Sequence, residues 1–246
     1  MCIKSFNYIK RLFNNGNVCV TGLRGRGKDL IFGNVIIRQK KPYISNLDYG
    51  GDYFPFDYKN IDLGGNTYDT MLNNPLYYEF PYPLGSDVYI SDVGVYFPSQ
   101  YCNELNKKYQ SIPYYMALSR QVSHNNVHVN VQNLNRAWDK LREQSDIYLM
   151  PIRCFYIPKV DIVIQHIIEY DKYDSCVQRV KPCRIKVPLI ASQERILQAQ
   201  MYVDNFENQH GIVKSYWVIY HNKSKHDTYY FQKILSKGVK NEKQNT

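Results

Sequence analysis

The feature that most constrains the fold of this chain is a glycine-rich turn at residues 22–28, between a β-type run and a helical pattern. Gly22, Gly27 and Lys28 have the spacing G-x-x-x-x-G-K of a phosphate-binding P-loop. Such glycines let backbone N–H groups point at phosphate oxygens, while the helix start and the lysine add positive charge. The sequence therefore predicts a nucleotide-phosphate site, with an ordinary glycine turn as the alternative. The residues expected to bind are Gly22, Arg24, Gly25, Arg26, Gly27, Lys28, Asp29 and Leu30.

One position departs from the usual P-loop, because Asp29 stands where a Ser or Thr hydroxyl normally contacts Mg²⁺. A carboxylate is a competent magnesium ligand, but it places a negative charge beside a triphosphate. We therefore expect either a metal held differently or a weakened nucleotide affinity. The alternative is that Asp29 caps the start of the helix, where acidic side chains are favoured.

A second acidic signal is Asp92, which closes the predicted strand at residues 87–92. A strand ending in an acid downstream of a P-loop is typical of the Walker B carboxylate that holds Mg²⁺. The catalytic glutamate that usually follows is absent, since Val93 occupies its position. Glu104, Asp29 or a residue of a neighbouring subunit could orient the attacking water instead. Slow or absent hydrolysis is the other interpretation.

The chain is basic, with a formal net charge of +9 and a pI near 9.1, which favours a polyanionic partner, nucleic acid before an anionic membrane. Residues 151–246 hold 15 Lys and Arg against 9 Asp and Glu, interleaved with tyrosines. DNA contact is expected there, with a solvated basic face as the alternative. Six cysteines without a C-x-x-C pair, and no visible signal peptide, indicate reduced thiols in a cytosolic compartment. No apolar stretch is long enough for a membrane span.

Local patterns predict the other elements of the first part of the chain. Residues 1–16 have apolar side chains at helical spacing, which predicts a basic amphipathic helix packed on the domain, with a membrane or DNA contact as the alternative. A helix follows the P-loop as far as Pro42. Strands are predicted at 18–21, 43–47, 87–92, 127–132, 147–150 and 152–157, helices at 68–72, 99–124 and 134–143, and a loop at 48–66.

The last part of the chain has a different pattern. Residues 160–170 and 177–189 alternate in polarity and predict a hairpin with its turn at 171–175. Ser192 is expected to cap a helix that runs to about residue 208 and ends at Gly211. A strand at 217–220, a helix at 228–235 and a disordered tail at 237–246 complete the prediction. The expected units are an N-terminal helix at 1–16, a core at 17–157, a basic extension at 158–236 and the tail.

Several stretches, in this order, resemble the zonular occludens toxin-like ATPases, the group that includes the filamentous-phage assembly ATPase. The matching pieces are GLRGRGKD, YISN, GSDVYISDVGVYFPS, LSRQVSHNNVHVNVQNLNRAWDKLRE and, far downstream, KHDTYYF. The similarity covers residues 17–157, with weaker coverage afterwards. It implies an α/β fold, a RecA/HerA-like P-loop NTPase sheet sandwiched by helices with an additional strand, here followed by a C-terminal β-hairpin and helix extension.

The resemblance also implies an activity and roles for particular residues. It indicates a homo-oligomeric ring in the host cytoplasm, at the capsid or peripheral to the inner membrane, which uses ATP and Mg²⁺ to package or translocate viral DNA beside other phage assembly or capsid proteins. Lys28 would be the phosphate lysine, Asp92 the Walker B acid and Gln132 the polar tip of the sensor strand. Arg120 matches the arginine of an Arg-His pair whose histidine is Gln121 here, and Arg142 that of a Leu-Arg pair. Both are candidate arginine fingers, with a surface salt bridge as the alternative.

Departures from the family pattern keep a second function open. Asp29 and Val93 differ from the usual motifs, and no membrane span follows the core, whereas filamentous-phage members carry one. The missing span favours DNA packaging over extrusion. A non-hydrolysing, nucleotide-dependent DNA-binding or scaffold protein is the alternative.

Overall fold

The computed structural model describes residues 2–56, 82–101, 116, 119–120, 125–185, 188 and 190–224. The strands within these ranges are β1 Ile3–Lys4, β2 Val18–Thr21, β3 Tyr43–Ser45, β4 Tyr53–Pro55, β5 Asp87–Ile90, β6 Val127–Val131, β7 Ile147–Ile157, β8 Ile162–Tyr170 and β9 Ile212–His221. The helices are α1 Phe6–Asn15, α2 Lys28–Gln39, α3 Val93–Tyr96, α4 Asp139–Arg142, α5 Tyr173–Val177 and α6 Gln193–Gln209, with 3₁₀ turns at Ser99–Tyr101 and Leu134–Arg136.

The strands form one mostly parallel sheet in the order β1-β9-β8-β7-β2-β6-β5-β3-β4. Strand β6 lies between the P-loop strand β2 and strand β5, so that Val129 is in register with Cys19 on one side and Ile90 on the other. All strands from β7 to β4 are parallel, and their carboxyl ends therefore meet at one edge of the sheet. The expected α/β fold with an additional strand is confirmed.

The central parallel strands β2, β3, β5 and β6 are buried on both faces, as parallel sheets require, and none of them has an exposed residue. On one face α1 and α2 contribute Ile9, Phe13 and Phe32 to an apolar layer. On the other face Trp138, Leu141 and Cys176 belong to a second layer. The N-terminal segment is thus a helix whose apolar side packs on the domain, as expected, because Ile9 and Phe13 lie on one helix face.

Three predictions for the first part of the chain are corrected. The stretch 48–66, expected to be a loop, contains the edge strand β4, which pairs with β3. The helix expected at 134–143 is broken into a 3₁₀ turn and α4, because the Trp138 N–H donates to the Phe97 carbonyl instead of continuing a helix. The expected strands at 147–150 and 152–157 are one strand, β7, with a register shift between Pro151 and Arg153.

The hairpin predicted between 160–170 and 177–189 is wrong. Strand β8 pairs antiparallel with β7 on one side and β9 on the other, so neither of its edges is free for residues 177–189. Residues 171–175 lead into α5 instead of forming a turn. The helix after Ser192 is confirmed as α6: the Ser192 hydroxyl accepts a hydrogen bond from the Arg195 N–H, and Gly211 follows with φ of 56°. The elements predicted at 68–72, 228–235 and 237–246 lie outside the described residues, as does most of 99–124.

Within the described ranges, no helix has both the length and the apolar character needed to cross a membrane.

Candidate functional site

The predicted site residues other than the two arginines Arg120 and Arg142 lie together at the carboxyl edge of the parallel strands. The P-loop follows β2, Asp92 follows β5 and Gln132 follows β6. Lys28, at the start of α2, is only 6% exposed, and its Nζ donates to the carbonyls of Gly22 at 3.1 Å and Leu23 at 3.5 Å. Burial lowers the pKa of Lys28, and the charges of Asp29 and Asp92 oppose this shift. The lysine and both carboxylates therefore lie close enough to interact electrostatically.

Asp92 is held in an uncommon backbone conformation. Its φ of 50° is left-handed, a region that aspartate tolerates better than most residues. The Asp92 N–H donates to the Asn130 Oδ1 at 2.7 Å, which fixes the turn against the adjacent strand. Burial raises the pKa of Asp92, as does the charge of Asp29, whereas Lys28, a hydrogen bond from Gln132 and Arg24 act in the opposite direction.

The Asp29 carboxylate faces the ends of β5 and β6. Its Oδ1 accepts hydrogen bonds from Asn130 Nδ2 at 2.8 Å, from Ser91 Oγ at 3.3 Å and from the Tyr49 hydroxyl at 3.4 Å. Ser91 and Asn130 are themselves joined at 3.0 Å. The Asp29 side chain thus connects the first turn of α2 to the sheet, and its Oδ1 atom is used in these bonds.

The P-loop backbone is fixed from β8 by Gln165, a fully buried residue. Gln165 Nε2 donates to the carbonyls of Arg26 at 3.1 Å and Gly27 at 3.0 Å, and its Oε1 accepts from the Tyr220 hydroxyl at 2.6 Å. Gly25 and Gly27 have φ of 75° and 78°, which only glycine adopts without strain. Arg24 and Arg26 lie on either side of Gly25 in sequence and are exposed.

The two arginines predicted as fingers lie apart from this cluster. Arg120 lies at the opposite edge of the sheet, where its guanidinium contacts Asn126 Oδ1 at 2.8 Å and Asp146 Oδ2 at 3.5 Å. Arg142 donates to the Leu134 carbonyl at 3.1 Å and lies 4.8 Å over the Tyr173 ring. Neither contacts the P-loop of its own chain, so a finger role for either remains a prediction about a neighbouring subunit.

Sequence reasoning missed the polar residues that connect the site. Ser91 and Asn130 join the strand ends, and Gln165 supports the loop from beneath. Ser91 directly precedes Asp92 and Asn130 precedes Gln132 by two residues, so polar residues at the ends of apolar strands were the available signal. Gln165 gave no such signal, because a lone polar residue in an apolar strand has no motif.

The residues present fit a magnesium ion. Mg²⁺ is usually held by one or two carboxylates together with substrate phosphates. Asp29 and Asp92 interact unfavourably, since the charge of Asp29 contributes to the raised pKa of Asp92. A divalent cation between them would relieve this repulsion.

Comparison with known proteins finds solved structures to which the chain is similar at low identity. The sequence matches no protein-family model and no curated protein sequence. Among solved structures, the chain is similar to the N-terminal domain of zonular occludens toxin from Neisseria meningitidis, with 13% identity and a TM-score of 0.36 over 70% of this chain and 95% of that one. It is also similar to the genome packaging NTPase B204 from Sulfolobus turreted icosahedral virus 2 in complex with AMPPCP, with 16% identity and a TM-score of 0.39 over 72% and 99%.

A third solved structure is EssC (ATPases 2 and 3) from Geobacillus thermodenitrificans, with 11% identity and a TM-score of 0.36 over 81% of this chain and 45% of that one. One of these three structures is a zonular occludens toxin domain, from the group that the sequence motifs resemble.

Proposed function

We propose that this chain is a P-loop ATPase that binds Mg·ATP between Lys28 and Asp92 and acts as a motor of phage assembly, moving or packaging viral DNA. The observation that carries the nucleotide part is the arrangement of these two side chains: a buried lysine and a half-buried carboxylate follow β2 and β5, and each shifts the pKa of the other. The phage-assembly part is supported by the order of the sequence motifs.

The chain's own residues would divide the work of binding. The N–H groups of residues 24–29 and the start of α2 would face the phosphates, and Lys28 would exchange its bonds to the Gly22 and Leu23 carbonyls for phosphate oxygens. Asp92 and the second carboxylate oxygen of Asp29 would hold Mg²⁺, which supplies charge neutralisation on the phosphates when bound. Gln132, which forms a hydrogen bond with Asp92, would contact the terminal phosphate.

Val93 and Asp29 are both unfavourable candidates for the base that would activate water. Val93, at the usual glutamate position, is 1% exposed and apolar, so it supplies no proton acceptor. The Asp29 Oδ1 already accepts three hydrogen bonds, which makes this residue a poor base. Glu104 lies outside the described residues. The absence of a good base at Val93 and Asp29 favours the second candidate, a nucleotide-dependent DNA-binding or scaffold protein that does not hydrolyse ATP.

We further propose a ring in which Arg120 or Arg142 of one subunit completes the site of the next. Arg120 suits this role better, because its side chain is about half exposed (52%) and its contacts with Asp146 and with the Asn15 carbonyl are at the surface. Arg142 donates to the Leu134 and Ala137 carbonyls of its own chain, and both of these contacts are partly buried. An arginine finger is worth roughly 10³–10⁵ in turnover where it is present.

Steady-state ATP turnover, with and without single- or double-stranded DNA, tests the proposal. Lys28→Ala should abolish ATP binding and turnover, whereas Lys159→Ala, an exposed lysine in a turn, should change neither. Turnover that survives Lys28→Ala would contradict the proposed site. ATP binding without turnover in the wild-type chain would select the second candidate function.

A further inference from the structure

A large cavity lies beside the P-loop, and most of its lining residues take no part in the proposed ATP site. Its volume is about 1090 Å³, and it is formed by β7, β8 and β9 together with residues 179–184. It lies on the sheet face opposite α1 and α2, because Tyr216 and Val218 of β9 pack in the α1/α2 layer while the alternate residues Ser215 and Trp217 line the cavity. The volume slightly exceeds the roughly 300–1,000 Å³ of ordinary small-molecule sites, so the cavity has room for an extended ligand.

The cavity wall is strongly basic. All of its charged lining residues are cationic, and each of them is exposed. They are Arg26, Arg153, Arg179, Lys181 and Arg184. The ion pairs of the described residues join Lys41 to Asp87 and Arg120 to Asp146, so none of these five cations is paired with a carboxylate there. The five positive charges are therefore available to an anionic ligand.

Aromatic rings are stacked along the same wall. His166 and Trp217 are cross-strand neighbours whose rings are nearly parallel, with centroids 4.7 Å apart and an interplanar angle of 9°. Phe155 does not line the cavity but extends this stack: its ring lies 6.4 Å from that of Trp217 and at 13° to it, and Phe155 is 53% exposed. The pKa of His166 is lowered by burial and by the charges of Arg184 and Arg153, so this ring stays neutral within the basic wall.

The cavity also reaches the nucleotide loop. Gly22, Leu23 and Arg26 contribute to its lining, and Leu23 is 51% exposed. Arg26 therefore belongs both to the P-loop and to the cavity wall. Its carbonyl accepts a hydrogen bond from Gln165, and Arg26 also lines the cavity. A ligand in the cavity would touch the P-loop directly.

We propose that this cavity binds a segment of single-stranded nucleic acid, with its phosphates on the arginines and its bases against the Trp217 and Phe155 rings. Cations that follow a phosphate backbone, together with stacked aromatic rings, are the two elements of single-strand recognition, and a duplex would keep its bases away from the rings. The proposal rests on the proposed function, because it gives the motor a place where its nucleic acid meets the P-loop.

The first test is fluorescence anisotropy with labelled oligo(dT), oligo(U) and a duplex of the same length. Arg153→Ala combined with Arg184→Ala should weaken oligo(dT) binding at least tenfold and reduce the slope of log affinity against log salt by about 1.4, at roughly 0.7 per lost phosphate contact. Arg11→Ala with Arg195→Ala removes the same charge at exposed positions outside the cavity and should have little effect. Equal effects of the two double variants would overturn the proposal. Oligo(U) binding as tight as oligo(dT) would assign the site to single strands of either sugar.

Stacking is tested separately. Phe155→Ala should weaken oligo(dT) binding by at least about fivefold and leave duplex binding unchanged. The exposed aromatic Tyr202 on α6 gives the control, Tyr202→Ala. In the wild-type chain oligo(dT) should quench the fluorescence of Trp217 but not of the fully buried Trp138, which Trp138→Phe distinguishes. Absence of quenching on saturation with oligo(dT) would also overturn the proposal.

Binding of a fluorescent ATP analogue separates this inference from the proposed function. If the Arg153/Arg184 variant loses oligo(dT) but keeps the ATP analogue, both stand. If it loses the ATP analogue and keeps oligo(dT), the cavity serves the bound nucleotide and the inference is wrong. If Lys28→Ala retains the ATP analogue while oligo(dT) still depends on Arg153 and Arg184, the proposed function fails and the cavity assignment survives.

Discussion

The Asn130 side-chain amide donates a hydrogen bond to the Asp29 Oδ1 atom at 2.8 Å, across 101 residues of sequence. The same Asn130 side chain accepts from the Asp92 N–H at 2.7 Å. One residue of the inserted strand β6 therefore positions both candidate metal ligands. This explains how an aspartate is accommodated at a P-loop position that normally carries a hydroxyl: its carboxylate has donors at the strand ends.

Removing the charge of Asp29 should change how nucleotide affinity depends on Mg²⁺. Asp29→Asn keeps the Oδ1 acceptor, so the contact with Asn130 survives while the negative charge beside the phosphates disappears. We expect ATP to bind about three- to tenfold more tightly without Mg²⁺, a gain of roughly 0.7–1.4 kcal/mol, and the stimulation by Mg²⁺ to fall. Titration of a fluorescent ATP analogue with Mg²⁺ or EDTA measures both, and Asp52→Asn, an exposed acid, is the control. Unchanged Mg²⁺ dependence in Asp29→Asn would leave Asp92 as the candidate carboxylate.

Two glycines of the P-loop allow backbone strain to be separated from steric conflict. Gly25 and Gly27 have nearly equal positive φ, but a Cβ at Gly25 would meet nothing within 4 Å, whereas one at Gly27 would lie 2.8 Å from Cys154 Sγ and also collide with Gln165 Nε2. Gly25→Ala should lower the free energy of unfolding by about 1–2 kcal/mol. Gly27→Ala should cost about 1–3 kcal/mol more, because it also displaces the Gln165 amide that holds the loop.

Urea denaturation of the two glycine variants gives both free energies. Nucleotide affinity should follow the same order, with Gly27→Ala the weaker binder. Equal losses of stability in the two variants would mean that Gln165 does not fix the loop.

The Asp92 carboxylate should serve metal binding while lowering the stability of the fold. Its pKa is raised, chiefly by burial, so the ionised carboxylate costs folding free energy at every pH above its folded pKa. Asp92→Asn, which tolerates the left-handed backbone, should therefore be more stable than the wild type at neutral pH. The difference should shrink as the pH falls through the raised pKa toward the ordinary value of 3.8.

The same Asp92→Asn variant should bind ATP with little dependence on Mg²⁺, since the carboxylate is the proposed metal ligand. Asp161→Asn is a matched control, because Asp161 also has a positive φ, of 53°, in a turn outside the candidate site. A variant that is both less stable than the wild type and normal in Mg²⁺ dependence would contradict the assigned role.

The part of this architecture that could be predicted depends on short stretches of sequence. The P-loop turn, β5 with its closing acid and the alternating β6 are local signals, and the structure has the corresponding elements at 18–39, 87–92 and 127–131. Two of the hydrogen-bond partners of Asp29, Ser91 and Asn130, lie 62 and 101 residues away in sequence. No local pattern indicates such pairs.

The hairpin prediction failed for the same reason. Residues 177–189 alternate in polarity as a strand would, but strand pairing is decided by which edge is free, and β9 already occupies that edge of β8. Lys181, Pro182, Cys183 and Arg184 all line the basic cavity, although they are consecutive in sequence. The alternation in polarity therefore identified neither the element that these residues meet nor the residues that share a side.

His128 is a buried titratable group whose effect on the pH dependence of stability can be measured directly. It is fully buried on β6, 4.7 Å from the ring centroids of both Phe13 and Tyr89, and its Nδ1 accepts the Val18 N–H at 3.2 Å. Its Nε2 finds no hydrogen-bond partner among the described residues. Burial, with smaller contributions from Arg120 and Lys41, lowers the pKa of His128 from 6.5 to about 3.

Acid should therefore destabilise the fold through His128. Above pH 6.5 the His128 ring is neutral in both the folded and the unfolded chain, so its protonation does not affect the free energy of unfolding. As the pH falls from 6.5 toward 3, the unfolded chain binds a proton that the folded chain does not bind, and the folded state loses stability. The free energy of unfolding should fall by about 1.4 kcal/mol per pH unit from this one group. His128→Asn keeps an acceptor for the Val18 N–H but does not titrate, so urea denaturation between pH 6.5 and about pH 4 should show a shallower decline by that amount. Parallel declines in the wild type and the variant would show that His128 is protonated in the folded state, or that the site admits water.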